Sequence, residues 1–515
     1  MRLTRVLVLT LAALWSHPGH ADTRDDVTAL IHAGDMAAIL RALANPDPAM
    51  QRQSFAAFVT SRADVAALSK AMLEAHPGDP RAMIARGWHL QALGWAMRGE
   101  GSVRETWPEA LVRMDAMHAE AFDLAEQALA IDPGLFPASD LLLSLARTTH
   151  HRKWIPGELD RAMALWPNRQ SLILAVQGMT PNWGGPPGWG PDACARYAPV
   201  IADTPGYTPA ICEIDIVFAA GYSVEDRDHA YQRLANYDHP ILDDARYSYA
   251  TSVMVPRTYD AIVMLKGFRD RGLLGLRGTQ RLDELQGTPF DQIGPATRKV
   301  IATDMPKLRA AVDFDPADNR ALSKYIEALN LEVRITGVPV GAEEITARYG
   351  ALFALSPYDG RIWSDYGHLM SGTLSPDTAT LDQIEGVRGY FENGVVYSLH
   401  SATSLFFLDG FNQWVWQHFD RRNLDAIDAT GQAAFPKPDY DAAVVCPTIR
   451  TLRVIEAVCE ADPDQWGCNP DDSRDRARAD LVARAEKRAA CTAEREGPVE
   501  GLAYQSVAVE LSEEK

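Results

Sequence analysis

Residues 121–146 read AFDLAEQALA, IDPG, LFPASDLLLSLA. Ala121, Leu124, Ala125, Ala128 and Leu129 fall at i, i+3, i+4, i+7 and i+8, and Ala138, Leu141, Leu142, Leu145 and Ala146 repeat the template. On a 3.6-residue helix those positions gather into one stripe, so each segment predicts an amphipathic helix with one buried face. Asp132-Pro133-Gly134 lies between them and stops the first helix, because Pro has no N–H to donate and Gly suits a C-terminal turn. Helix, short turn and helix make an α-hairpin.

The stop recurs at Pro77, Pro133, Pro167, Pro316 and Pro357, each time between apolar helical segments. Pro133 to Pro167 matches the ~34-residue tetratricopeptide period, and the other intervals are longer and uneven. Later segments keep the pattern: Leu322, Tyr325, Ile326 and Leu329, then Trp363, Tyr366, Gly367 and Met370. Strand signals are nearly absent. The best, Ile214 to Phe218, has neighbours that favour a helix. The expected fold is all-α: tetratricopeptide-like α-α hairpins stacked as a solenoid in two lobes, 22–220 and 297–440. A helical connector, 221–296, holds the Gly-rich stretch Gly272–Gly278. A Cys-rich helical hairpin, 441–495, caps the apolar face of the last repeat, and 496–515 is a tail. The plainer alternative is an irregular helical bundle with coincidental Pro spacing.

The chain has 515 residues, with 50 Lys and Arg against 69 Asp and Glu, a net charge of -19. Such a surface argues against a nucleic-acid binder, which needs cations to displace counterions from phosphate. Hydrophobic residues at 47% and charged residues at 23% exclude wholesale disorder. Residues 1–21 have the three parts of a secretory signal: Arg2 and Arg5, an apolar run from Val6 to Trp15, and a break ending on Gly19 and Ala21. The run is shorter than the ~20 residues a membrane span needs. Cleavage after Ala21 and a periplasmic location are therefore expected, with no membrane span.

Six cysteines in an exported chain predict three disulfides. Cys194 and Cys212 would close a local loop. Cys446, Cys459, Cys468 and Cys491 crowd two helices, 447–461 and about 472–494, around the turn Asp462-Pro463-Asp464. In an antiparallel pair the start of one helix lies beside the end of the other, which favours nested bridges, Cys446–Cys491 and Cys459–Cys468. A zinc site is the weaker reading, since the spacings are wide and His is absent nearby.

Residues 82–190 carry Gly87-Trp88, then Gly94-Trp95-Ala96-Met97-Arg98-Gly99-Glu100-Gly101, then Trp107, the helix 121–131 with Asp132-Pro133, and finally Pro181-Asn182-Trp183-Gly184-Gly185. In these motifs and their order the segment resembles a bacterial helical-repeat family, the domain of unknown function four-zero-three-four. The resemblance covers about a fifth of the chain. It implies a tetratricopeptide-like array and supplies no catalytic residue, and the long C-terminal half departs from it.

The candidate binding residues are Asn182, Trp183 and Trp189 in the loop Asn182-Trp-Gly-Gly-Pro-Pro-Gly-Trp-Gly190, together with Trp95 and Arg98. A loop stiffened by Pro could present indole faces to a sugar ring or a Pro-rich peptide; alternatively the indoles plug a gap between hairpins. Arg98 could meet a partner's carboxylate or cap its own helix. Phe406, Phe407, Phe411, Trp414, Trp416 and Phe419 form a third set. Phe407, Phe411 and Trp414 share a face, as core or as a partner groove, and Trp416 lies off it. His150-His151 reads as a helix end and not as a metal pair. No zinc helix, nucleophile elbow or phosphate loop occurs, so no catalytic residue, metal or cofactor is expected. The expected function is a periplasmic interaction scaffold or assembly factor, holding a protein or peptide with basic patches on a concave face. The alternative is an all-helical polysaccharide-processing enzyme, a lyase or glycosidase, acting on a glycan.

Overall fold

The computed structural model describes residues 24–461, apart from 100–105, 147, 149–151, 182–184, 220–229, 231–232, 235, 238, 253–257, 273, 288–289, 315–320, 323, 327, 330–331, 333–341, 399–401 and 436. The signal segment, Asn182, Trp183, His150, His151, Pro316, Cys468, Cys491, the helix at 472–494 and the tail lie outside the described residues, as does the nested bridge pattern. Among the described residues every regular element is helical and none is a strand. No helix among them is long and apolar enough to cross a membrane.

The helices are α1 Arg24–Ala33, α2 Met36–Ala42, α3 Pro48–Phe55, α4 Ala63–Ala75, α5 Pro80–Arg98, α6 Pro108–Ile131 and α7 Phe136–Leu145. Then come α8 Ile155–Leu165, α9 Arg169–Gly178, α10 Trp189–Tyr197, α11 Pro209–Ala219, α12 Asp243–Ser252, α13 Thr258–Asp270, α14 Leu276–Leu285 and α15 Phe290–Phe314. The last are α16 Ala342–Leu355, α17 Gly360–Ser371, α18 Leu381–Tyr397, α19 Ala402–Thr430 and α20 Cys446–Ala461, the final one entered through a π-helical turn at Asp441–Val445. The described Pro stops fall between helices: Pro77 after α4, Pro133 after α6, Pro167 after α8 and Pro357 after α16. Residues 214–218 are helical, inside α11.

Local chemistry sets the starts. Asp47 accepts from the N–H groups of Ala49 (2.8 Å) and Met50 (3.3 Å), with Pro48 in the first turn of α3. Thr380 and Gln383 form a reciprocal capping box on α18. Caps of this kind contribute about 1 kcal/mol each.

Contacts divide the chain into two compact units: Met1–Trp95 with Met114–Asp318, and Ala96–Arg113 with Asn319–Lys515. The long helix α15, Phe290–Phe314, groups with the first unit. In that unit α7 departs from its one-stripe expectation, because all ten of its residues are buried. Its Ala138, Leu141, Leu142 and Leu145 join one apolar cluster with α1–α6, while Phe136 and Leu143 join a second with α8–α11. A helix wedged between two cores has no solvent face, so its polar Asp140 must find a partner inside. Cys194 on α10 and Cys212 on α11 are disulfide-bonded, with Cα atoms 5.6 Å apart. Cys446 is also disulfide-bonded.

In the second unit α17 and α18 meet through small residues. A Cβ on Gly360 would lie 2.4 Å from the Ser398 nitrogen and 2.5 Å from the Gly394 oxygen. These are backbone atoms, which cannot turn aside. Gly360→Ala is expected to lower the stability of this unit by about 1–3 kcal/mol through overpacking. Urea unfolding followed by tryptophan fluorescence checks it, and an unchanged midpoint would refute the close approach.

Candidate functional site

An apolar concavity lies in the second unit, a groove of ≈ 500 Å³, within the usual ligand-pocket range of about 300–1,000 Å³. One wall is α19, which contributes Phe406, Phe407, Gly410, Phe411 and Trp414. The floor includes Phe391 of α18, and the other wall is the end of α17 and the loop after it, with His368, Leu374 and Pro376. The loop is held at both ends. At its start the Gly372 N–H donates to the carbonyls of His368 (3.4 Å) and Leu369 (3.1 Å). At its end Arg422 Nη1 donates to the Ala379 carbonyl (2.8 Å), with the guanidinium 4.9 Å from the Phe419 ring centre and 4.8 Å from that of Phe435. The loop therefore borders α19 from the Phe407 end to the Arg422 end.

The rings form a continuous surface. Phe391 and Phe411 are 5.1 Å apart, Phe411 and Trp414 are stacked at 6.1 Å, and the imidazoles of His368 and His418 lie 6.1 Å from Phe407 and 4.8 Å from Trp414. Phe407 is 39% exposed and Phe411 5%. Trp416 and Phe419 are buried in the core of α18–α20. One aromatic run thus divides by helical phase: Phe407, Phe411 and Trp414 line the groove, and Trp416 and Phe419 hold α19 down. Beneath lies a polar tie. Arg388 Nε donates to Asn412 Oδ1 (2.8 Å), and Asn412 Nδ2 donates to Thr451 Oγ1 (3.0 Å) of α20. Burial pushes the Arg388 guanidinium down to about 10, against the pull of Glu392 and Glu385.

Trp189, Trp95 and Arg98, also singled out in the sequence, are not among the residues that line the groove. Trp189 opens α10 and packs, partly buried, on the core that holds the disulfide. The loop before it is pressed against α9: a Cβ on Gly185 would lie 1.9 Å from the Met179 oxygen. Trp95 lies 5.7 Å from the buried ring of His118. Gly94 is what lets that imidazole in, since a Cβ there would lie 2.6 Å from Nε2. His118 is held by Thr148 Oγ1 (2.8 Å) and the Gln91 carbonyl (3.1 Å). Arg98 Nη1 donates to its neighbour's carbonyl, Gly99 (3.4 Å), and burial lowers its guanidinium against the charge of Asp359. Gly99 takes φ +80 with the Asp359 carboxylate where a Cβ would stand.

Two other features stand out. A ladder of rings, Trp107–Tyr358–Tyr397–Trp363–Tyr390–Tyr366, runs through the second unit in stacked, tilted and edge-on pairs. The first unit has a polar cavity of ≈ 670 Å³ beside His76, Asp79, Arg81 and Asp132. There Asp79 caps α5 through the Arg81 N–H (2.9 Å) and takes two bonds from its guanidinium (2.9 and 2.6 Å). Burial pushes the Asp79 carboxyl up, and the bonds from Arg81 more than reverse it. Among the described residues no group of three or more His, Cys, Asp or Glu is placed to hold a metal ion.

The chain matches no protein-family model and no curated protein. What the groove can do follows from its surface. Filling it with a Leu or aromatic side chain removes that group from water, which contributes about 1.5–3 kcal/mol per anchor.

Proposed function

We propose that this protein is an exported interaction scaffold, built of tetratricopeptide-like hairpins, that docks a partner protein or peptide through the groove between α19 and the 372–379 loop. The carrying observation is the half-exposed Phe407 above a continuous floor of Phe391, Phe411 and Trp414. Hot spots of protein interfaces are such anchor pockets, ringed by neutral contacts that exclude water. Two further features support the reading: a succession of helices broken at Pro77, Pro133, Pro167 and Pro357, and the Cys194–Cys212 bridge, a bond suited to an oxidising compartment. The net charge of -19 favours a partner with basic patches, steered by long-range attraction.

The test uses a fluorescein-labelled amphipathic peptide with Leu and Trp anchors among Lys residues. Phe407→Glu changes an exposed position and is expected to weaken its binding at least ~10-fold, since a desolvated anchor contributes more than the 1.4 kcal/mol of one decade. Raising salt from low to physiological strength should weaken binding to the unaltered chain as well. Equal affinity of variant and unaltered chain would remove the groove from the account.

A further inference from the structure

We propose that the groove is also the seat of this chain's own C-terminal segment, Val507 to Glu514, which would then compete with a partner. The inference rests on the docking reading above. Along α19, His418 and Arg421 follow Trp414 at i+4 and i+7, so the apolar stripe Phe407–Phe411–Trp414 continues to one exposed guanidinium, with Asp420 and Asp425 beside it. The Arg421 side chain is 82% exposed, with Asp425 at 3.9 Å. On the opposite wall the exposed Asp377 adjoins Pro376, so an acidic ligand has its favourable place at the Arg421 end.

The sequence of the segment fits that order. It reads Val507-Ala-Val509-Glu-Leu511-Ser-Glu513-Glu514. In an extended chain alternate residues share a face, which puts Val507, Val509, Leu511 and Glu513 together. Three apolar groups are followed by an acid, as the α19 stripe has three rings in the groove followed by Arg421 beyond its lining. The lengths agree too: the six extended steps from Val507 to Glu513 span ~20 Å, and Phe407 to Arg421 spans ~21 Å of helix. The tether reaches. Even with Cys491 held at Cys446, the chain from Cys491 to Val507 can reach ~50 Å at ~3.3 Å per residue, beyond the ~44 Å of α19, and α20, which begins at Cys446, lies on α19 through the Asn412–Thr451 bond.

The test places benzoyl-phenylalanine at position 407 of the full chain, irradiates it and maps the products. The expected result is a cross-link within the chain to residues 507–514. Glu513→Lys should cut its yield several-fold and raise affinity for the labelled Leu/Trp/Lys peptide, and adding Arg421→Glu should restore the cross-link. A cross-link absent from 502–515, or one indifferent to Glu513→Lys, overturns the proposal. If the labelled peptide cross-links at 407 while the segment does not, the groove stands as a docking site and only its internal occupant falls. If neither does, both readings fall.

Discussion

Arg52→Met is expected to cost the first unit about 3–5 kcal/mol, the usual penalty for stranding one half of a buried ion pair. Asp140, only 2% exposed, sits on the fully buried α7. Arg52 Nε and Nη2 donate to its Oδ2 at 2.8 and 2.6 Å, Ser171 Oγ donates to its Oδ1 at 2.5 Å, and Asn168 Oδ1 accepts a third bond from Arg52 (2.8 Å). The guanidinium lies 4.9 Å from the Phe136 ring centre and 4.6 Å from that of Trp166. Burial pushes the Asp140 carboxyl up, while Arg52 and Ser171 pull it down. Removing Arg52 leaves burial less opposed. An acid whose folded pKa is raised adds stability below its unfolded value, near ~3.9, and loses it as pH rises through the folded value. The deficit of Arg52→Met should therefore be larger at pH 8 than at pH 5. Urea midpoints at the two pH values measure it; a loss under ~1 kcal/mol, flat with pH, would contradict the network.

Loss of the Cys194–Cys212 bridge, by reduction or by Ala at both positions, is expected to cost about 2–4 kcal/mol. The residues are 18 apart in sequence, so the bridge closes a local loop in the unfolded chain and joins α10 to α11 in the folded one. Both cysteines are fully buried in the apolar cluster that also holds Trp166 and Trp189. Denaturant unfolding with and without reductant, with thiols counted by mass, reads the effect. Equal midpoints with both thiols free would show that packing alone holds the pair.

Helix positions were legible because an apolar stripe leaves a period and Pro leaves a stop. What covers the other face of a helix leaves no such mark. The stripe on α7 gave Ala138, Leu141, Leu142 and Leu145 as buried, yet Ser139, Asp140 and Ser144 are buried too. Asp140 is satisfied by Arg52, 88 residues earlier, which no local pattern announces. Gly87 and Gly94 drew attention through their Trp neighbours; their role is close approach, with Leu141 and His118 lying where a Cβ would go. Half of the groove could be read in the helical phase of Phe407, Phe411 and Trp414. Its other wall, Gly372 to Ala379, is aperiodic loop fixed by the α17 C-terminus and by Arg422, so only the structure reveals it. Trp95 packs on His118, Trp189 on the core that holds the disulfide, and Arg98 donates to the Gly99 carbonyl.

Hydrogen exchange of the full chain, with and without the labelled Leu/Trp/Lys peptide, tests the central claim most directly. Slowed exchange concentrated in residues 372–379 and along the Phe407–His418 stretch of α19 is the expected result. Protection elsewhere, for instance around His76 and Arg81 with α19 unchanged, would contradict it.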